Sequence, residues 1–123
     1  MEPSLQPLPP RLAAIAEAIA PGSRVADVGS DHGKLALWLA AGGRAAYCLA
    51  TEETETLLAR VARPPAGAPW AGRVAYRAGD GLAAIRPGDR IDTIVLAGLG
   101  GRTVVRLLDG SGALRLLPLR MRS

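Results

Sequence analysis

The chain of 123 residues holds one cysteine, one histidine, one lysine and no phenylalanine. A lone Cys48, set in an apolar run, excludes an internal disulfide and reads as a small buried side chain. One cysteine and one histidine also argue against a zinc site, and no metal is expected. The aromatic residues are Trp38, Trp70, Tyr47 and Tyr76 alone, so stacking platforms for nucleic-acid bases are scarce. No apolar run approaches the roughly 18 residues of a membrane span. Met1-Glu2-Pro3-Ser4 lacks the basic and apolar regions of a secretory signal, and the expected location is the cytoplasm.

What is present suits a single folded domain, since 49% of the residues are hydrophobic. The net charge is +4, and every basic residue except Lys34 is an arginine. Richness in Ala, Gly, Pro and Arg is consistent with compositional bias. The excess is nevertheless local: Arg102, Arg106, Arg115, Arg120 and Arg122 face only Asp109 after residue 101, and the residues before are neutral. A basic end of this kind can meet a phosphate backbone.

Met1–Pro10 carries four prolines and reads as an extended lead-in to a domain over residues 11–123. Apolar residues at Leu12, Ile15, Ala16 and Ile19 predict a helix over Arg11–Ala20, stopped by Pro21-Gly22. Val25, Ala26 and Val28 form a first strand, which turns at Gly29 into a helix from about Gly33 to Ala41. Ala45–Ala50 reads as a second strand, followed by a helix from Thr51 or Glu52 through Leu57, Leu58 and Val61 to the break at Pro64-Pro65. Val74–Arg77 predicts a third strand, Leu82–Ile85 a short helix, and Asp92–Leu96 the fourth and most apolar strand. A helix over Thr103–Leu108 and a fifth strand from Leu114 to Leu117 complete the pattern. Short apolar strands alternating with helices predict an α/β fold of Rossmann-like type, with a mostly parallel sheet covered on both faces.

In such sheets ligands lie beyond the carboxyl ends of the strands. Here those ends carry Asp27, Gly29, Asp31 and Gly33, then Glu52, then Asp80 and Gly81, then Ala97-Gly98-Leu99-Gly100-Gly101. A glycine-bearing turn with an acid about 20 residues on marks a nucleoside-bearing cofactor, the acid accepting from ribose hydroxyls, and Glu52 lies 23 residues past Gly29. Charge separates the candidate cofactors. A pyrophosphate would be repelled by Asp27 and Asp31, whereas the ammonium and sulfonium of S-adenosylmethionine would be attracted. A nicotinamide-dependent dehydrogenase is therefore disfavoured. Plainer roles stay open: Asp31 and Asp80 can cap the helices that follow them, Glu52 can be a solvated first-turn acid, and His32 a satisfied loop histidine.

Three blocks carry a family resemblance: Val25-Ala26-Asp27-Val28-Gly29-Ser30-Asp31-His32-Gly33, Gly79-Asp80-Gly81-Leu82, and Ile91-Asp92-Thr93-Ile94-Val95-Leu96-Ala97-Gly98-Leu99-Gly100-Gly101. In order and spacing they resemble the bacterial tRNA (adenine-22-N1)-methyltransferases, as does the early pair Arg11-Leu12. The resemblance runs from about residue 11 to residue 117. It implies a Rossmann-like methyltransferase domain that takes S-adenosylmethionine and methylates N1 of an adenine in tRNA. By motif position Asp27, Gly29 and Asp31 would line the methionine end, Glu52 the ribose, and Asp80 the adenine, with His32 and Gly81 also among the cofactor-binding residues. The backbone at Ala97, Gly98 and Gly100 would face the acceptor base. The chain departs from the family at Thr51, where a glycine is usual, and at Leu119-Arg120, where a Gln-Pro segment is usual. It also ends at Ser123, where the family continues into a helical C-terminal domain. The expectation is a cofactor-binding part of such an enzyme, its sheet cut after the fourth or fifth strand and open to homodimer formation through an edge. The alternative is a non-catalytic module that binds S-adenosylmethionine or RNA.

Overall fold

The computed structural model describes residues 8–29, 33–96, 104–108 and 114–118. The Ser30–His32 turn, the Ala97–Gly101 end of the fourth strand and the Leu119-Arg120 pair lie outside them.

Pro10 opens the first helix, α1 (Pro10–Ala18), at a position whose N–H would have no partner in any case. Ile15 and the C-cap residue Ile19 are fully buried, each contributing about 1.5–3 kcal/mol of burial. Arg44 closes the far end of α1: its Nε donates to the Ile19 carbonyl at 2.7 Å and its Nη2 to the Glu17 carbonyl at 2.9 Å. β1 (Ser23–Val28) follows, then α2 (Lys34–Ala41), which ends at Gly42 as its glycine pair predicts. β2 (Ala45–Glu52) runs on past Ala50 to the acid that ends it. α3 (Glu55–Leu58), β3 (Val74–Ala78) and β4 (Thr93–Leu96) come next. Two further strands, β5 (Val104–Leu108) and β6 (Leu114–Pro118), complete the chain order.

The six strands form one sheet in the order β3-β2-β1-β4-β5-β6. β1 pairs in parallel with β2 and β4, and β2 with β3, whereas β4–β5 and β5–β6 are antiparallel. The sheet is thus mostly parallel and Rossmann-like, with its reversal of strand order between β1 and β4. On one face Val25, Cys48, Ala50 and Val95 pack beneath Ile15 of α1, its C-cap residue Ile19, and Leu35, Ala36 and Leu39 of α2. A satellite cluster joins Leu37 and Ala40 of α2 to Ala68 and Trp70. Because strand side chains alternate, Arg24, Leu49 and Arg77 turn to the opposite face, where the β3–β4 connection runs.

Three predicted elements differ. The helix expected over Thr103–Leu108 is instead strand β5 over Val104–Leu108, paired antiparallel with β4. Val104 and Val105 are β-branched, and a run this short lets strand pairing override a helical reading. The helix expected from Thr51 or Glu52 through Val61 shrinks to the single turn Glu55–Leu58. Thr54 caps it, its Oγ1 accepting from the Leu57 N–H at 3.1 Å, and the chain turns out of the helix before Val61. The short helix predicted at Leu82–Ile85 is a 3-10 turn over Gly81–Ala84.

Candidate functional site

Along the carboxyl edge of the parallel strands, backbone hydrogen bonds carry the pairing beyond the strands themselves. The Gly29 N–H donates to the Thr51 carbonyl at 3.0 Å, and the Gly79 N–H to the Glu52 carbonyl at 2.9 Å. One continuous row results: Asp27 to Gly29 beside Thr51 and Glu52, and these beside Gly79 and Asp80. The sequence-predicted residues Asp27, Gly29, Glu52, Asp80 and Gly81 therefore share one rim. Asp31, His32, Ala97, Gly98 and Gly100 fall outside the described residues.

Each member of the row has a distinct setting. Asp27 is buried, on the helix-covered face of β1. The Cys48 thiol on the same face is pushed up in pKa, first by burial and then by the Asp27 carboxylate. Gly29 adopts φ 71°, and Gly33 at the start of α2 φ 77°. A Cβ on Gly33 would stand 2.5 Å from Val61 Cγ1, so the segment after α3 lies directly on the α2 N-terminus. Glu52 is half-buried. Thr51 is 1% exposed, and its Oγ1 has no hydrogen-bond partner. Asp80 is exposed and precedes the 3-10 turn Gly81–Ala84 without capping it through its side chain. That leaves its carboxylate available to a ligand, contrary to the plain capping role.

A second group escapes sequence reading. Arg77 on β3 and Asp89 form a two-pronged ion pair, Nη1 to Oδ2 at 2.7 Å and Nη2 to Oδ1 at 3.0 Å. Arg77 Nη1 also donates to the Ala84 carbonyl at 2.9 Å, and the Arg86 N–H donates to Asp89 Oδ2 at 2.7 Å. The hydrogen bonds from Arg77, with further help from the Arg86 N–H, hold the Asp89 carboxyl at about 2, below its ordinary value. From the other side Arg24 on β1 donates to the Asp89 carbonyl through Nε at 3.1 Å and Nη2 at 2.9 Å. The only trace in the sequence is the turn Arg86-Pro87-Gly88-Asp89-Arg90, which does not reveal its partners. Among the described residues no three His, Cys, Asp or Glu side chains cluster to hold a metal ion, and no helix is long and apolar enough to cross a membrane.

Comparison with known proteins bears on this arrangement. The profile of the methyltransferase domain family matches residues 8–116. The chain belongs to that family. Within it, the chain is 32% identical over 99 residues to the tRNA (adenine(22)-N(1))-methyltransferase of Bacillus subtilis strain 168, a match covering 80% of this chain and 41% of that protein. The crystal structure of the B. subtilis M1A22 tRNA methyltransferase TrmK superposes with a TM-score of 0.63 at 32% identity, over 72% of this chain and 37% of that one. A Streptococcus pneumoniae protein solved in complex with S-adenosyl-L-methionine gives a TM-score of 0.67 at 27% identity, over 76% of this chain and 44% of that one. This methyltransferase domain thus spans about two fifths of the curated relative's length.

Proposed function

We propose that this methyltransferase domain binds S-adenosylmethionine along the β1–β3 rim and serves the methylation of N1 of an adenine in tRNA. The observation that carries the reading is the contiguous row Asp27–Gly29, Glu52, Asp80 at the carboxyl edge of a parallel sheet. The donor set fits the cofactor. Carboxylates suit a cationic ammonium and sulfonium and repel a pyrophosphate, and Asp80 does not spend its carboxylate on the adjoining turn. The named relatives, one of them solved with S-adenosyl-L-methionine, support the same choice.

When bound, the cofactor supplies an electrophilic methyl group on sulfur. Asp27, with Gly29, Asp31 and His32, would hold the methionine end, Glu52 would accept from the ribose hydroxyls, and Asp80 with Gly81 would take the adenine. The backbone at Ala97, Gly98 and Gly100 would seat the acceptor base. N1 of adenine carries a free lone pair at neutral pH, so the protein needs no strong base. Its work is in-line positioning and exclusion of water. With tRNA as substrate the place of work is the cytoplasm. The terminal strands β3 and β6 offer edges for a homodimer, which sedimentation at two concentrations would detect.

Calorimetric titration tests the reading. S-adenosylhomocysteine is expected to bind and NAD to fail. Glu52→Ala and Asp80→Ala should each weaken binding by about tenfold, the loss of one charge-assisted hydrogen bond. Unchanged affinity in both variants would reject the site. Incubation with S-adenosylmethionine and unmodified tRNA should yield N1-methyladenine, and binding without transfer would make the domain a binding module.

A further inference from the structure

The β3–β4 connection carries Asp80 and Gly81, yet its only regular structure is the 3-10 turns Gly81–Ala84 and Pro87–Asp89. Backbone hydrogen bonds close each turn, Ala83 N–H to the Asp80 carbonyl at 3.0 Å in the first and Asp89 N–H to the Arg86 carbonyl at 2.9 Å in the second. How the turns sit against the sheet and each other is set by contacts from outside. At its start the Gly79 N–H is bonded to the Glu52 carbonyl at 2.9 Å. Gly79 also lies so close to Ala84 that an added Cβ would stand 2.7 Å from the Ala84 Cβ. The Asp80–Ala84 turn is thereby folded back on its own origin, and Arg77 closes it. One guanidinium nitrogen bonds both the Ala84 carbonyl, at 2.9 Å, and Asp89 Oδ2, at 2.7 Å. Asp89 is in turn moored to β1 through Arg24.

We propose that Arg77 is a positioning residue for adenine recognition, its guanidinium holding the Asp80–Ala84 turn in the shape that presents Asp80 and Gly81 to the base. The inference rests on the cofactor reading above. Arg77 projects from the strand face opposite Asp27 and makes no claim on the ligand. It acts through the Ala84 carbonyl and Asp89. An ion pair that merely braced the fold would alter stability without changing which base is preferred. An ion pair that shapes the base-reading turn alters the preference itself, because Asp80 can accept from the exocyclic amino group of adenine but is repelled by the oxo group of hypoxanthine.

The test is titration of S-adenosylhomocysteine and of S-inosylhomocysteine into the wild-type chain and into Arg77→Gln and Arg77→Lys, each shown folded by circular dichroism. The wild type should favour the adenine ligand by about tenfold or more. Arg77→Gln should bring the two affinities within about twofold, while Arg77→Lys, which keeps the positive charge toward Asp89 but not the two-pronged fork, should fall between. Equal weakening of both ligands in Arg77→Gln, or retention of the wild-type preference, overturns the proposal and leaves the cofactor reading standing. A wild type that binds both ligands alike also overturns it. A wild type that binds neither removes the cofactor reading and this inference together. If Arg77→Gln does not fold, Asp89→Asn takes its place, with a reduced preference expected and an unchanged one overturning the proposal.

Discussion

Gly33 and Gly67 have nearly the same backbone, φ 77° and φ 80°, and nothing near Gly67 would meet a Cβ. At Gly33 a Cβ would strike Val61 Cγ1 at 2.5 Å and crowd the Ala62 backbone at 3.2 Å. Gly67→Ala should therefore cost only the left-handed penalty, about 1–2 kcal/mol, whereas Gly33→Ala adds an overpacking term of about 1–3 kcal/mol. Urea denaturation of the two variants gives the comparison. From the sequence Gly33 is legible as a bend before a helix. Its second duty, making room for Val61, is not, because the contact joins residues from two different crossovers. Thr51 presents the converse case: it is readable as a substitution for a small residue, but its unpartnered hydroxyl exists only once β1 and β3 close around it.

At the scale of elements, the connection holding Asp89 makes a prediction in acid. Its carboxyl sits at about 2 in the folded chain against an ordinary 3.8. A carboxylate whose pKa is lowered on folding stabilises the fold above the unfolded value and loses that contribution as the pH falls through the folded one. Stability should therefore decline across pH 3.8 to about 2, and Asp89→Asn should flatten that part of the curve while leaving less stability at neutral pH. Thermal melts at stepped pH measure it. The elements themselves divide by how they announce their ends. Pro21-Gly22 and Gly42-Gly43 punctuate the chain, so α1, β1 and α2 are legible within two residues or so. β4 follows from its isoleucine, valine and leucine, and β2 and β3 from the short apolar runs that begin at Ala45 and Val74. In the stretch after Glu52 the Thr54 N-cap moves the start of the helix to Glu55, and the helix ends at Leu58, ahead of the break at Pro64-Pro65. Val104-Val105-Arg106-Leu107-Leu108 is too short for period to decide, and pairing with β4 decides for it. The rim of acids is legible because each member ends a strand. The Arg77–Asp89–Arg24 group is not, since its partners lie 12 and 65 residues apart and meet only through the strand order.

For the molecule as a whole, Cys48 is a built-in reporter. It is fully buried on β2 in the cluster that α1 and α2 close over, and burial with the Asp27 carboxylate keeps its thiol protonated. Alkylation needs both access and thiolate, so the folded chain should react at least about a thousandfold more slowly than the chain in denaturant, as global opening of a domain of ordinary stability requires. Mass spectrometry of timed iodoacetamide reactions reads this directly, and rapid labelling would mean that the sheet opens locally at β2.

The two grips on Asp89 have a consequence for the order in which the molecule is built. Its carboxylate is held from β3 and its carbonyl from β1, strands that do not touch, because β2 lies between them. Neither partial pairing, β1 with β2 or β2 with β3, can complete the mooring, since only a sheet with all three strands in register brings Arg24 and Arg77 to the same residue. The turn that carries Asp80 is consequently fastened only after β1–β2 and β2–β3 have both paired. A chain able to hold a ligand there is one whose β1–β3 half of the sheet has already assembled.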